Sequence, residues 1–183
     1  TVSFCLKFYN IKKDVILLKW VIWKFKKGKN DPAMKELKNL FVEQTDKTPL
    51  IDFNYLNGEM ILSGKSIPIN APRIFEPLLE WVNEYVKNPR QNTNLRLNLE
   101  YFNTASAIWL AKIVKSLSGI SKPESVLFLH IYFPIEDFDD IDDIKDDLSP
   151  LIDVVSTATV SVGLKIYGTD ESGKVLKESM IFI

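Results

Sequence analysis

Thr104 stands where an alternating strand pattern gives way to a helical one, and a hydroxyl at that joint has one distinctive chemistry open to it. The first turn of a helix carries unpaired N–H donors and the positive end of the helix dipole. A phosphate esterified to Thr104 would add roughly 1.5 to 2 negative charges at the place on the chain best able to hold them. The same position suits a plain structural role. Asn103 and Thr104 each carry a side-chain oxygen that can cap the helix, and spacing leaves both readings open. Asn103, Ala105 and Ser106 form the immediate environment of the hydroxyl. On a helical wheel Thr104, Ile108, Ala111, Lys112 and Lys115 share the face opposite a buried stripe of Ser106, Leu110, Ile113, Val114 and Leu117. Ile108 is then an apolar group left outside beside the hydroxyl, an arrangement suited to docking a protein partner.

The other chemistry-bearing residues offer less. His130, the one histidine, lies in an apolar run with no cysteine or second histidine near it, and reads as a packed core residue. Cys5 is the one cysteine, so neither a disulfide framework nor a Cys-x-x-Cys site can form, which favours a reducing compartment. Gly58 to Ser66, GEMILSGKS, imitates a phosphate-binding loop, but five residues separate the glycines, the stretch between them reads as a strand, and Pro68 falls where a helix would have to start. The acidic run EDFDDIDDIKDD after Pro134 lacks the glycine and terminal glutamate of a calcium loop and reads as a solvated helix face. No catalytic group, metal or cofactor is expected.

The elements around Thr104 follow from periodicity. Leu50 to Leu62 reads as a hairpin about Asn57-Gly58, with Ile51, Phe53 and Tyr55 alternating. Asn70 caps a helix with Pro72 in its first turn and a buried stripe of Ile74, Leu78, Trp81, Val82 and Tyr85, with a kink or restart expected at Pro77. Leu95, Leu97, Leu99 and Tyr101 share one strand face and lead into the Thr104 helix. Val126 to Phe133 is apolar enough for a central strand covered on both faces. Phe138, Ile141, Ile144 and Leu148 are spaced as one helix face, with a continuation or restart through Leu151, Val154 and Val155. A final hairpin pairs Val160–Tyr167 with Val175–Ile183, whose apolar end must be covered by pairing or by a homodimer contact. The expected fold is a single α/β domain with a mixed β-sheet of about six strands and helices packed on it.

Charge divides the chain. Residues 1–33 hold eight lysines against Asp14 and Asp31, a net of +6, which leaves −7 for residues 34–183 of a chain whose net charge is −1. An acidic body argues against nucleic acid as a partner. Val15 to Trp23 is too short to span a bilayer but would suit an anionic membrane surface as a basic helix. A constitutive membrane-surface adaptor is therefore the alternative function, with membrane contact only if residues 1–33 are native.

One order of motifs goes further than chemistry. Thr48-Pro49, Asn57-Gly58, Gly64-x-Ser66-x-Pro68, a Pro77-Leu78-Leu79-x-Trp81 helix and the Tyr101-Phe102-Asn103-Thr104 joint together resemble the SiaC family of bacterial regulatory phosphoproteins. The resemblance runs from about Thr48 to Phe133. It departs where Ala105 replaces the first serine of the family's Asn-Thr-Ser-Ser motif, where Ile69 stands in place of a frequent glutamate, and in a tail beyond Phe133 longer than in short members. The resemblance implies that Thr104 is the phosphorylated residue, that a dedicated kinase and a PPM-type phosphatase act on it, and that the unphosphorylated form binds an output protein. In the best-known branch that output is a diguanylate cyclase, which makes cyclic di-GMP. It also implies a cytoplasmic, non-enzymatic partner switch, with a fold akin to the phospho-switch domains that antagonise anti-sigma factors. By the same resemblance Met34 is the expected start of a domain at 34–183, and residues 1–33 are an upstream or non-native extension.

Overall fold

Four strands run parallel in chain order, and that order decides which side of the sheet is covered. The computed structural model describes residues 37–139 and 151–183. Along the chain come β1 (Leu40–Val42), β2 (Leu50–Asn54), β3 (Glu59–Ser66), α1 (Ala71–Tyr85), β4 (Asn92–Phe102), α2 (Thr104–Ser118), β5 (Val126–Pro134), β6 (Ser161–Thr169) and β7 (Val175–Phe182). They form one seven-stranded mixed sheet in the order β1-β2-β3-β4-β5-β6-β7. The β3–β4, β4–β5 and β5–β6 pairs are parallel and the others antiparallel. Parallel neighbours joined by right-handed crossovers that always step the same way place every crossover on one face. Accordingly α1 and α2 pack against each other on that face, over Met60, Leu62, Leu95, Leu127, Leu129 and Leu164, all essentially solvent-free. Each fully buried large aliphatic residue contributes roughly 1.5 to 3 kcal/mol, so this layer carries the fold.

Local chemistry accounts for the element ends. Asn70 Oδ1 accepts from the Arg73 N–H at 3.3 Å, and Pro72 occupies the first turn of α1, where its missing N–H costs nothing. Of the kink or restart expected at Pro77, the restart does not occur, since α1 is one helix through it. Phe75 is fully buried in its stripe, whereas Ile74 is half-buried. The first hairpin turns through Tyr55–Gly58, and Gly58 has a φ of +75°. A Cβ there would lie 2.5 Å from the Asn92 carbonyl oxygen, so glycine is required on both counts. The phosphate-loop imitation resolves as this turn plus β3. β1, with no distinctive alternation, is the strand the sequence reading lacked.

The second face of β5 corrects an expectation. Among the described residues no element covers it, because the crossovers lie on the other side. Val126, Phe128, His130 and Tyr132 point there, beside Asn94 and Arg96 of β4 and Lys165 and Tyr167 of β6. His130 is buried, as expected, but inside a polar network rather than an apolar core. Arg96 donates from Nη1 to His130 Nδ1 at 3.2 Å and to the Tyr132 hydroxyl at 3.2 Å, while its Nε donates to Glu59 Oε2 at 2.8 Å. Since arginine has only donors, Nδ1 is the acceptor, and the neutral ring donates from Nε2 to Asn94 Oδ1 at 3.0 Å. Tyr167 stacks on His130 with centroids 5.8 Å apart and places its hydroxyl 3.0 Å from Nδ1.

Burial, then the charges of Arg96 and Lys165, pull the His130 pKa from 6.5 down to about 4. Between those values the unfolded chain binds a proton that the folded one refuses, so stability falls as pH drops from 6.5 towards 4. In His130→Gln that segment of the stability curve flattens. Denaturant midpoints of both proteins at pH 7 and pH 4.5 measure the difference, and equal slopes would place the titration elsewhere.

The helix expected after Pro134 is seen in part: Asp137–Asp139 form a 3-10 turn with Phe138 buried, and 151–155 form a helical turn with Val155 buried. Ile141, Ile144 and Leu148 lie outside the described residues, as do the basic extension, its membrane-surface helix and Met34. β7 pairs with β6 through Phe182, the first of the two outcomes expected for its apolar end, while the side chains of Met180, Phe182 and Ile183 stay exposed. Among the described residues no helix is long and apolar enough to cross a membrane.

Candidate functional site

The site is built where β3 and β4 end together against the start of α2. Asn103 caps α2, its Oδ1 accepting the Ser106 N–H at 2.9 Å. This settles the two-way choice left by the sequence: Thr104 is not the cap but the first helical residue, and it is exposed. The first intrahelical bond is Ala107 N–H to the Asn103 carbonyl at 3.0 Å. The N–H groups of Thr104 and Ala105 have no acceptor among the described residues. Two free donors and the positive end of a four-turn helix therefore surround the Thr104 hydroxyl.

Beneath it a closed hydrogen-bond ring ties strand to helix. The Ser66 hydroxyl donates to Ser106 Oγ at 2.9 Å, and the Ser106 hydroxyl donates back to the Ser66 carbonyl at 2.9 Å. The same carbonyl accepts the Asn103 N–H at 3.1 Å. Both serines are fully buried. Ser106, expected on the buried stripe and near the phosphate position, is thus the residue that anchors the first turn of α2 to the end of β3.

A β-bulge re-aims the last residues of β4. Gly64 pairs with Leu99 and Lys65 with Tyr101, so Glu100 is the extra residue. Gly64, opposite it, has a φ of +86°. The extra residue reverses the alternation. Tyr101 leaves the face of Leu95, Leu97 and Leu99, against the sequence expectation, and stands 62% exposed, while Phe102 turns to the helical side and is half exposed. Ile108, one helical turn after Thr104, is 54% exposed, and Ile69, just past β3, is 92% exposed, so four large apolar side chains stand on the surface about the ends of β3 and β4 and the first turns of α2. Tyr101 and Phe102 were not legible as surface groups, because a single inserted strand residue leaves no trace in hydropathy.

The docking face divides. Ile108, Lys112 and Lys115 are exposed as expected, with Lys112 Nζ held 4.2 Å over the Trp109 ring and Trp109 stacked on Phe75. Ala111 departs from the outward face. It is half-buried in the wall of an apolar cavity of about 570 Å³ that also touches Leu97, Leu99, Val114, Ile131 and Phe133. No group of three or more His, Cys, Asp or Glu residues is placed to hold a metal among the described residues.

A family model described as SiaC family regulatory phosphoprotein matches residues 42–161. An uncharacterized protein of Pseudomonas aeruginosa strain UCBPP-PA14 is 29% identical over 70 residues, 38% of this chain, and the match spans 56% of that relative's length. Two solved structures share the fold. The apo-SiaC crystal structure from Pseudomonas aeruginosa superposes with a TM-score of 0.55 at 18% identity, covering 69% of this chain and 98% of that one. A chain in the Pseudomonas aeruginosa complex of the diguanylate cyclase SiaD with its activator SiaC superposes with a TM-score of 0.56 at 18% identity, covering 70% and 99%.

Proposed function

From the premise that this chain belongs to the SiaC family of regulatory phosphoproteins, we propose that it is a non-catalytic partner switch whose state is written on Thr104. The observation that carries this reading is an exposed threonine at the first position of α2, released from capping by Asn103, with Phe102 two residues before it and Ile108 one helical turn after it both left exposed. A kinase reaches such a hydroxyl without unfolding anything, and the two free N–H groups favour the product phosphate. In the unphosphorylated form, exposed Phe102 and Ile108 are apolar surface for an output protein. A phosphate on Thr104 imposes a desolvation cost and a bulky charge on any partner covering them. SiaC of Pseudomonas aeruginosa has been solved as the activator of the diguanylate cyclase SiaD, and a diguanylate cyclase is the output we assign here. A dedicated kinase and a PPM-type phosphatase complete the cycle.

Peptide mass spectrometry of the protein taken from its own cells under several growth conditions tests the reading. The expected result is partial phosphate on Thr104 that varies with conditions. A Thr104 that is never modified would leave the face of Ile108 as a constitutive interface and remove the switch.

A further inference from the structure

We propose that the cavity between β4, β5 and α2 is the receptor for one apolar side chain, presented on an amphipathic helix of the docking partner that carries lysine or arginine within a turn of that anchor. The inference rests on the docking reading above and adds what the partner must bring. β4 pairs with β5 only as far as Leu97 and Ile131, whereas β3 holds β4 out to Phe102 and β6 holds β5 out to Pro134. The two strand ends therefore diverge and leave about 570 Å³ between them. This is the carboxyl edge of the parallel strands, and the volume lies within the range of real binding sites.

The walls select the occupant. The side chains of Leu97, Leu99, Val114 and Ile131 give the cavity an apolar wall, so the group that gains most by insertion is aliphatic or aromatic. Of the α2 residues that line it, Leu110 and Val114 are buried and the two half-buried ones are Ala107 and Ala111, whose small side chains let a second helix approach closely. Glu100 and Asp137 also line the cavity and are exposed, so carboxylates stand at its mouth in an acidic body, and the complementary flank is basic. At 100° per residue, Thr104, Ala111 and Lys115 lie on one line of α2, between the cavity wall and exposed Ile108. A partner that covers Ile108 therefore also covers the mouth, and a phosphate on Thr104, at the head of that line, holds it away.

The probe is a fluorescein-labelled helical peptide with a single leucine anchor in a lysine and alanine background, compared with the same peptide carrying alanine at the anchor or glutamate at the lysines. Anisotropy titrations are expected to rank the leucine, lysine peptide at least about tenfold tighter than either control. Ala111→Trp, which fills the cavity, abolishes that preference, and the pair Glu100→Lys with Asp137→Lys shifts it toward the glutamate peptide. Methyl shifts of Leu97, Leu99, Val114 and Ile131 in the wild-type protein report occupancy whether or not Ala111→Trp folds. Equal affinity for the leucine and alanine peptides, or unmoved methyl signals, overturns the proposal. If Thr104→Asp leaves cyclase and peptide binding intact while Ala111→Trp abolishes the peptide preference, the cavity stands and the switch falls. The reverse pattern overturns the cavity and leaves the switch.

Discussion

Thr104→Asp will weaken binding to the output protein at least about tenfold, a loss of roughly 1.4 kcal/mol, while the domain stays as stable as before or gains slightly. The two signs are opposite for a physical reason. A carboxylate in the first turn of α2 faces the free N–H groups of residues 104 and 105 and the positive helix end, worth roughly 0.3 to 1 kcal/mol to the folded chain. The same carboxylate stands one helical turn from exposed Ile108, where a docked partner would strip its water. Ile108→Glu will weaken the complex at least as much with no charge at residue 104, because it removes the apolar group and buries an unpaired charge in its place. Calorimetric titration of the purified cyclase with each variant, beside a thermal melt of each, checks both halves. Unchanged affinity in both variants would move the interface off this face. A binding loss accompanied by a lower melting temperature would instead point to misfolding.

Ser106→Ala will cost about 2 kcal/mol, a large effect for the loss of one oxygen. The Ser66 hydroxyl is fully buried and donates only to Ser106 Oγ, and the Ser66 carbonyl loses one of its two donors. Removing both hydroxyls, in Ser66→Ala with Ser106→Ala, will cost clearly less than the sum of the single changes, since neither side chain then leaves an orphan on the other. A double-mutant cycle by urea unfolding measures this, and strict additivity would show that the ring is not a coupled unit. Amide hydrogen exchange adds the local readout: in Ser106→Ala, residues 106 to 108 exchange faster while the far turns of α2, packed through Ile113 and Leu117, do not.

Much of this was legible before any coordinates, and the successes share a cause. The α2 stripe of Ser106, Leu110, Ile113, Val114 and Leu117 is buried as its spacing requires, because the period of a helix is a local property of the backbone. Asn70 and Asn103 cap for equally local reasons. The misses also share a cause. Phe75 joins the buried stripe of α1 while Ile74 is only half-buried, because the wheel leaves a margin of one position and the partner surface decides which side chain fits. β5 reads as buried on both faces from its apolar run. Which faces are covered is set by strand order and crossover hand, and these involve residues tens of positions apart. His130 is buried as its apolar run implied, but its Arg96, Asn94 and Tyr167 partners come from two other strands.

The sequence by itself determined the elements, their caps and the presence of a hydroxyl at a helix start, since each depends on contacts within a few residues. The tertiary structure alone decided that Thr104 is free of capping duty, that one extra residue in β4 turns Tyr101 outward, and that β4 and β5 part to open a cavity beside it. Those outcomes depend on the register of β3 and β5 against β4, and register is a property of paired strands that neither strand carries in its own residues.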